Sequence, residues 1–203
     1  MSGDIVNKGL RRIPPWIIYV MGVAYIVWLV WLGATGGLGV EPINALEREL
    51  GQTGLKILVV GLAITPLRRF FGLNLIRFRR ALGLTAFMFI SVHLTVWLVL
   101  DLQSFGRVWA DILKRPYITV GMVAFALMIP LAITSNNLSV RKLGLSWRRL
   151  HKLTYVLIVL GAVHFVMVRK GFQIEPLIYL GVAVVLLALR IMVAKVRSAA
   201  KTG

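Results

Sequence analysis

Residues 82–102 read LGLTAFMFISVHLTVWLVLDL, and this stretch decides the fold. As a helix at 1.5 Å per residue it is about 30 Å long, the thickness of a bilayer's hydrocarbon core. Asp101 is its one formal charge and stands at its end, whereas His93 lies midway. A run this apolar and this long has lipid as its solvent, and a histidine at that depth marks a function or a buried partner.

Five more runs flank it: Trp16–Leu32, Leu55–Leu67, Tyr117–Thr134, Leu150–Val168 and Pro176–Ala194. The second reaches spanning length only when Gly51–Gly54 are included, giving 51–67. The expectation is an all-α membrane protein, a single domain over 1–203 folded as a six-helix bundle. Composition agrees, with 59% hydrophobic residues, mean hydropathy +0.84 and only 15% charged residues, against about a quarter charged in soluble domains. The first run follows Lys8, Arg11 and Arg12 as a signal peptide would, but it is long for one and lacks a small-residue cleavage site, so it reads as an uncleaved anchor.

The net charge of +17 raises nucleic acid as a partner and then removes it. The cations sit in short segments between apolar runs, not on a face or arm of a folded domain. Counted by segment, 17 of the 24 Lys and Arg fall before run one, in Arg68–Arg80, in Arg141–Lys152 and from Arg190 onward. By the positive-inside rule both termini are cytoplasmic. The long outer segments are then Gly33–Gln52 and Gln103–Pro116, either of which could dock a partner. There is no cysteine, which excludes thiolate-held clusters and thiolate-ligated haem. No repeat, low-complexity stretch or soluble second domain is read from the chain.

His93, His151 and His164 are the three histidines. His93 lies about 17 Å along its run and His164 about 21 Å along its own, both measured from the basic side. Two imidazoles at matched height on facing helices, in an apolar pocket, are what bis-histidine ligation of a b-type haem requires. His151 precedes His164 by about 20 Å of helical rise and sits about 140° around from it. It is the candidate ligand of a second, inner haem whose other ligand is unidentified, because the matching places on run three are Arg79 and Arg80. Arg77, Arg79 and Arg80 open that run. They read either as ordinary cytoplasmic positive charge or as an anion site for a haem propionate or the phosphate of a flavin mononucleotide. Phe87, Phe89, Trp97 and Phe165 could wall the pocket, or simply pack. No nucleophile–histidine–acid set and no phosphate-cradling glycine loop is present.

At these residues the chain resembles the MsrQ (YedZ) family, within the wider ferric-reductase and NADPH-oxidase transmembrane superfamily. The resemblance covers nearly the whole chain: GVEPINALERELG (39–51), ITPLRR (64–69), NLIRFRRALGL (74–84), SVHL (91–94), RPYITVG (115–121), RKLGLSWRRLHKLTYV (141–156), AVHF (162–165) and PLIYLGVAVVLLALR (176–190). It implies a haem-binding subunit in the bacterial inner membrane. Such a subunit gives electrons to a periplasmic molybdopterin-containing partner that reduces methionine sulfoxide in oxidised proteins. Electrons would come from quinol or from a separate cytosolic flavin reductase, with FMN as an associated cofactor. The family's haem histidines fall on His93, His151 and His164. The superfamily's fourth histidine is replaced here by Arg79 or Arg80, which leaves one or two haems open. The competing expectations are a stand-alone ferric reductase and a haem-free membrane anchor whose histidines brace helices.

Overall fold

The computed structural model describes residues 2–169 and 173–202. Lys170, one of the Lys and Arg that fall outside the basic segments, lies outside the described residues. In chain order the helices are α1 (Ser2–Arg12), α2 (Trp16–Ala34), α3 (Pro42–Phe71), α4 (Arg79–Val96), α5 (Phe105–Lys114), α6 (Pro116–Ile133), α7 (Asn137–Leu143), α8 (Leu145–Leu150), α9 (Leu153–Val168) and α10 (Ile174–Thr202). A 3-10 turn, Ile76–Phe78, leads into α4, and a π-helical segment, Trp97–Leu102, follows it. Six stretches are long and apolar enough to cross a membrane: Trp16–Ala34, Pro42–Phe71, Ile76–Asp101, Pro116–Ile133, Leu145–Val168 and Ile174–Met192. They run alternately up and down, so one end of the bundle gathers the basic segments.

The bundle is organised around α3, α4, α6 and α9, with α2 against α3 and α4, and α10 against α9 and α3. Leu62, Ala86, Met128, Leu131, Leu157, Ile158 and Ala183 tie five of these helices together nearer the basic end. Leu29, Leu46, Leu50, Phe89 and Val96 join α2, α3 and α4 toward the other. In lipid no hydrophobic force drives helix on helix, so close approach at small residues matters. A Cβ added at Gly54 would stand 2.5 Å from Ile90, and one at Gly22 would stand 2.7 Å from Thr85. Those two glycines let α3 and α2 lie directly on α4. Only Gly22 and Leu29 are buried in α2; an apolar helix with so little protein cover is a lipid-facing one.

α3 begins nine residues earlier than hydropathy indicates, inside the segment read as an outer loop. Pro42 occupies its first turn, where a missing N–H costs nothing, and Leu46 and Leu50 bury one face. Glu47, Arg48 and Glu49 lower the local hydropathy without breaking the helix. Its other end stops at Gly72, whose φ of 69° places it in the left-handed region and whose N–H caps Leu67.

The α9 span also departs from the sequence reading. α8 ends at Leu150, His151 and Lys152 form a turn, and α9 starts at Leu153. The azimuth reckoned between His151 and His164 on one ideal helix therefore does not apply.

Three short helices, α1, α5 and α7, lie outside the spans. α5 packs Ile112 against Trp97 and Ile118 and leaves Trp109 and Leu113 exposed. That is the form of a helix lying along an interface. α1 is held at the basic end by Asn7, which donates to Gly72 O (3.0 Å) and accepts from Asn74 N–H (2.9 Å).

Candidate functional site

α4 carries His93 and α9 carries His164, both in the half of the bundle away from the basic end. Their ring centroids are 6.5 Å apart and their planes cross at 80°. Each ring makes one bond to a main-chain carbonyl of the neighbouring helix. His93 Nδ1 lies 2.8 Å from Glu47 O on α3, and His164 Nδ1 lies 2.7 Å from Tyr117 O on α6. A carbonyl only accepts, so both Nδ1 atoms carry the hydrogen and both Nε2 atoms keep a free lone pair. That is the tautomer a metal-ligating histidine uses, with a carbonyl as the outer partner that fixes the ring.

The spacing suits a metal between the rings. A metal–imidazole bond is about 2 Å. Two in line, with each ring centre about 1 Å beyond its nitrogen, separate the centroids by about 6 Å. Crossed planes are compatible with this, because each imidazole plane contains its own nitrogen–metal axis. Neither ring is sealed over, since both keep intermediate accessibility. The buried neighbours along the chain, Leu50, Val96, Trp97, Ile118 and Phe165, are apolar, with Gln52 the one polar exception among the described residues. Two neutral nitrogen donors with greasy surroundings are the donor set of a bis-histidine haem.

The arginines singled out in the sequence and His151 lie at the basic end, and they do not act as one cluster. Arg79, Arg80 and His151 line a cleft of about 540 Å³ between α3, α4, α6, α9 and α10. Its walls are apolar, including Ile57, Leu62, Phe87, Met128 and Leu157, and its rim adds Arg148, Lys152 and Arg190. Among the described residues, five cations and no carboxylate line it. Arg80 also donates to Asn137 Oδ1 at 2.8 Å. Arg77 is not part of this lining. Its guanidinium donates to Leu10 O (3.4 Å) and Arg11 O (2.5 Å), closing the C-terminal end of α1.

His151 is held differently from the other two. Thr134 Oγ1 donates to Pro130 O at 2.6 Å, so toward His151 Nε2, 3.0 Å away, it accepts. His151 Nε2 therefore bears the hydrogen, and the ring stacks on Trp147 at 4.0 Å. Trp147 in turn donates to Thr134 O at 2.9 Å.

Of the four aromatics considered as pocket walls, Phe87 lines the cleft and stacks on Phe125, while Phe89 is tilted against Tyr25. Phe165 is tilted against Tyr179, and Trp97 packs with Ile118. The aromatic beside His164 is Tyr117, with centroids 6.4 Å apart. Sequence reasoning passed over Tyr117, and over Glu47, because both act through main-chain oxygens. Arg148, Lys152 and Arg190 were legible only as loop charge.

The family described as "Ferric reductase like transmembrane component" matches residues 50–162. The chain is 48% identical to the "Protein-methionine-sulfoxide reductase heme-binding subunit MsrQ" of Agrobacterium fabrum, covering 87% of this chain and 83% of the relative. Similar proteins of the same name from Brucella anthropi and Brucella ovis are 44% and 45% identical, again over 87% of this chain and over 81% and 80% of their own. No solved structure matches the chain.

Proposed function

Because the chain belongs to the MsrQ family of ferric-reductase-like transmembrane proteins, we propose that it holds haem b between His93 and His164 and serves as the electron-transfer subunit of a methionine sulfoxide reductase. The catalytic partner in this reading is a periplasmic molybdopterin-containing protein. The membrane is the bacterial inner membrane, with the basic end and both chain termini in the cytoplasm. The observation that carries the proposal is the pair of imidazoles with centroids 6.5 Å apart, each with its Nδ1–H committed to a carbonyl. When bound, the haem supplies a one-electron carrier.

The chain's own residues do the rest. Glu47 O and Tyr117 O hold the two rings in the ligating tautomer, and mostly apolar residues surround the donors. At the basic end, Arg79, Arg80, Arg148, Lys152 and Arg190 attract an anion to a cleft whose walls suit a flat ring system. Propionates of an inner haem and the phosphate of FMN share that chemistry. His151 favours the flavin, because its Nε2–H is already given to Thr134 and ligation of a second haem through Nε2 would require that bond to break. Electrons then enter at the cytoplasmic end, from quinol or a flavin reductase, and leave at the periplasmic end.

A dithionite-reduced minus oxidised spectrum with haem extraction tests this on the purified protein. A b-type signal is expected in the wild type, lost in His93→Ala and His164→Ala and retained in His151→Ala. Well-folded wild type without haem overturns the proposal in favour of a haem-free anchor. Rapid reduction of ferric chelates by the isolated, reduced protein, with no transfer to a partner, moves it to a stand-alone ferric reductase.

A further inference from the structure

Each ligand histidine faces a glycine. A Cβ built on Gly51 of α3 would stand 3.1 Å from His93 Nδ1 and 3.2 Å from its Cε1. On Gly121 of α6 it would stand 2.9 Å from both Nδ1 and Cε1 of His164. Each glycine comes four residues after the carbonyl that accepts the ring's N–H: Glu47 before Gly51, and Tyr117 before Gly121. Residues i and i+4 share one face of a helix. The imidazole therefore lies on bare backbone at the glycine and reaches the second lone pair of the carbonyl one turn away.

The two arrangements repeat along the chain. Gly121 follows Gly51 by 70 residues, and the carbonyl-to-histidine separations are 46 and 47 residues. Leu62-Ala63-Ile64-Thr65 returns as Leu131-Ala132-Ile133-Thr134, and Val92-His93 as Val163-His164. Both threonine hydroxyls meet a basic side chain, Thr65 with Arg190 and Thr134 with His151. The histidine seats on α3–α4 and on α6–α9 thus share one local arrangement. The echo is short, and hydropathy hides it because every span is apolar.

We infer that Gly51 and Gly121 are positioning residues, each forming with the carbonyl of Glu47 or Tyr117 a seat that sets the tautomer and the rotation of one ligand imidazole. The spectroscopic consequence rests on the haem-binding reading; the seats themselves do not. Glycine within a helix is otherwise unfavourable relative to alanine, so an alanine at either place strengthens the helix while displacing the ring. The seat at Gly121 is the tighter, and His164 has more to lose.

Gly51→Ala and Gly121→Ala test this beside Gly181→Ala, where an added Cβ meets nothing within 4 Å. Low-spin ferric haem between crossed imidazoles gives a strongly anisotropic electron paramagnetic resonance signal, which becomes more rhombic as the planes turn parallel. Gly181→Ala keeps the wild-type signal and haem content. Gly51→Ala keeps haem with a displaced signal. Gly121→Ala shows the larger displacement or loses most of its haem. Full haem with an unchanged signal in both seat variants overturns the inference, and Gly51→Ala alone decides it if Gly121→Ala does not fold.

Nitrogen-15 spectra of histidine-labelled, haem-free protein above neutral pH read the tautomers directly. His93 and His164 are expected as Nδ1–H in the wild type, with His164 becoming a mixture in Gly121→Ala. Those tautomers in a wild type that takes up no haem would sink the functional proposal and uphold the seats. Mixed tautomers for both rings in the wild type would overturn the seats.

Discussion

Thr85 is 2% exposed and its hydroxyl has no partner among the described residues, although Ser91, Thr95, Thr134 and Ser135 all return theirs to a carbonyl four residues back. Its methyl group meets the bare backbone at Gly22. A buried unpaired hydroxyl costs about 1–3 kcal/mol, and valine has nearly the same shape. Thr85→Val is expected to raise the melting temperature in detergent, by the equivalent of about 1 kcal/mol. Gly22→Ala should lower it, because α2 must back away from α4. Side chains of this kind are legible in a sequence as types but not as partners. His93 and His164 could be paired from depth alone, because both sit on apolar spans and rise is additive. The carbonyls of Glu47 and Tyr117 could not, since every residue has one and only packing chooses among them. Arg77 shows the same limit: its charge was visible, but its use as a cap on α1 depends on where a separate helix lies.

At the scale of elements, the six spans follow from length and hydropathy, and the errors fall where charge or a turn intrudes. The start of α3 was hidden by Glu47, Arg48 and Glu49, although Leu46 and Leu50 already had helical spacing. The break at His151 was hidden because LSWRRLHKLTY carries no glycine or proline to mark it. α1 offers the clearest test of how an element is held. Asn7 supplies both hydrogen bonds to the Gly72–Asn74 turn, and each such bond is worth about 1 kcal/mol net. Asn7→Ala should release α1 from the bundle, seen as faster protease cleavage between α1 and α2 in inside-out vesicles. An unchanged cleavage rate would mean that Arg77 alone holds the helix.

For the whole molecule the first question is which end faces the cytoplasm. The chain has no cysteine, so single introduced thiols report without background. Val40, fully exposed between α2 and α3, lies at the far end, and Lys142 on α7 lies exposed at the basic end. With Val40→Cys, a membrane-impermeant maleimide is expected to label intact spheroplasts. Lys142→Cys should react only after permeabilisation. The opposite pattern would invert the topology and put the imidazole pair on the cytoplasmic side.

The imidazole pair stands toward the end away from the basic cleft, and in the proposed orientation that offset lies along an electric field. A respiring cell keeps its interior negative, and one elementary charge crossing the full potential gains or loses about 2.3 kcal/mol per 100 mV. An electron passing from the basic end toward His93 and His164 moves down that field. Part of the driving force for outward reduction then comes from the energised membrane itself, and the return of the electron is opposed by the same amount.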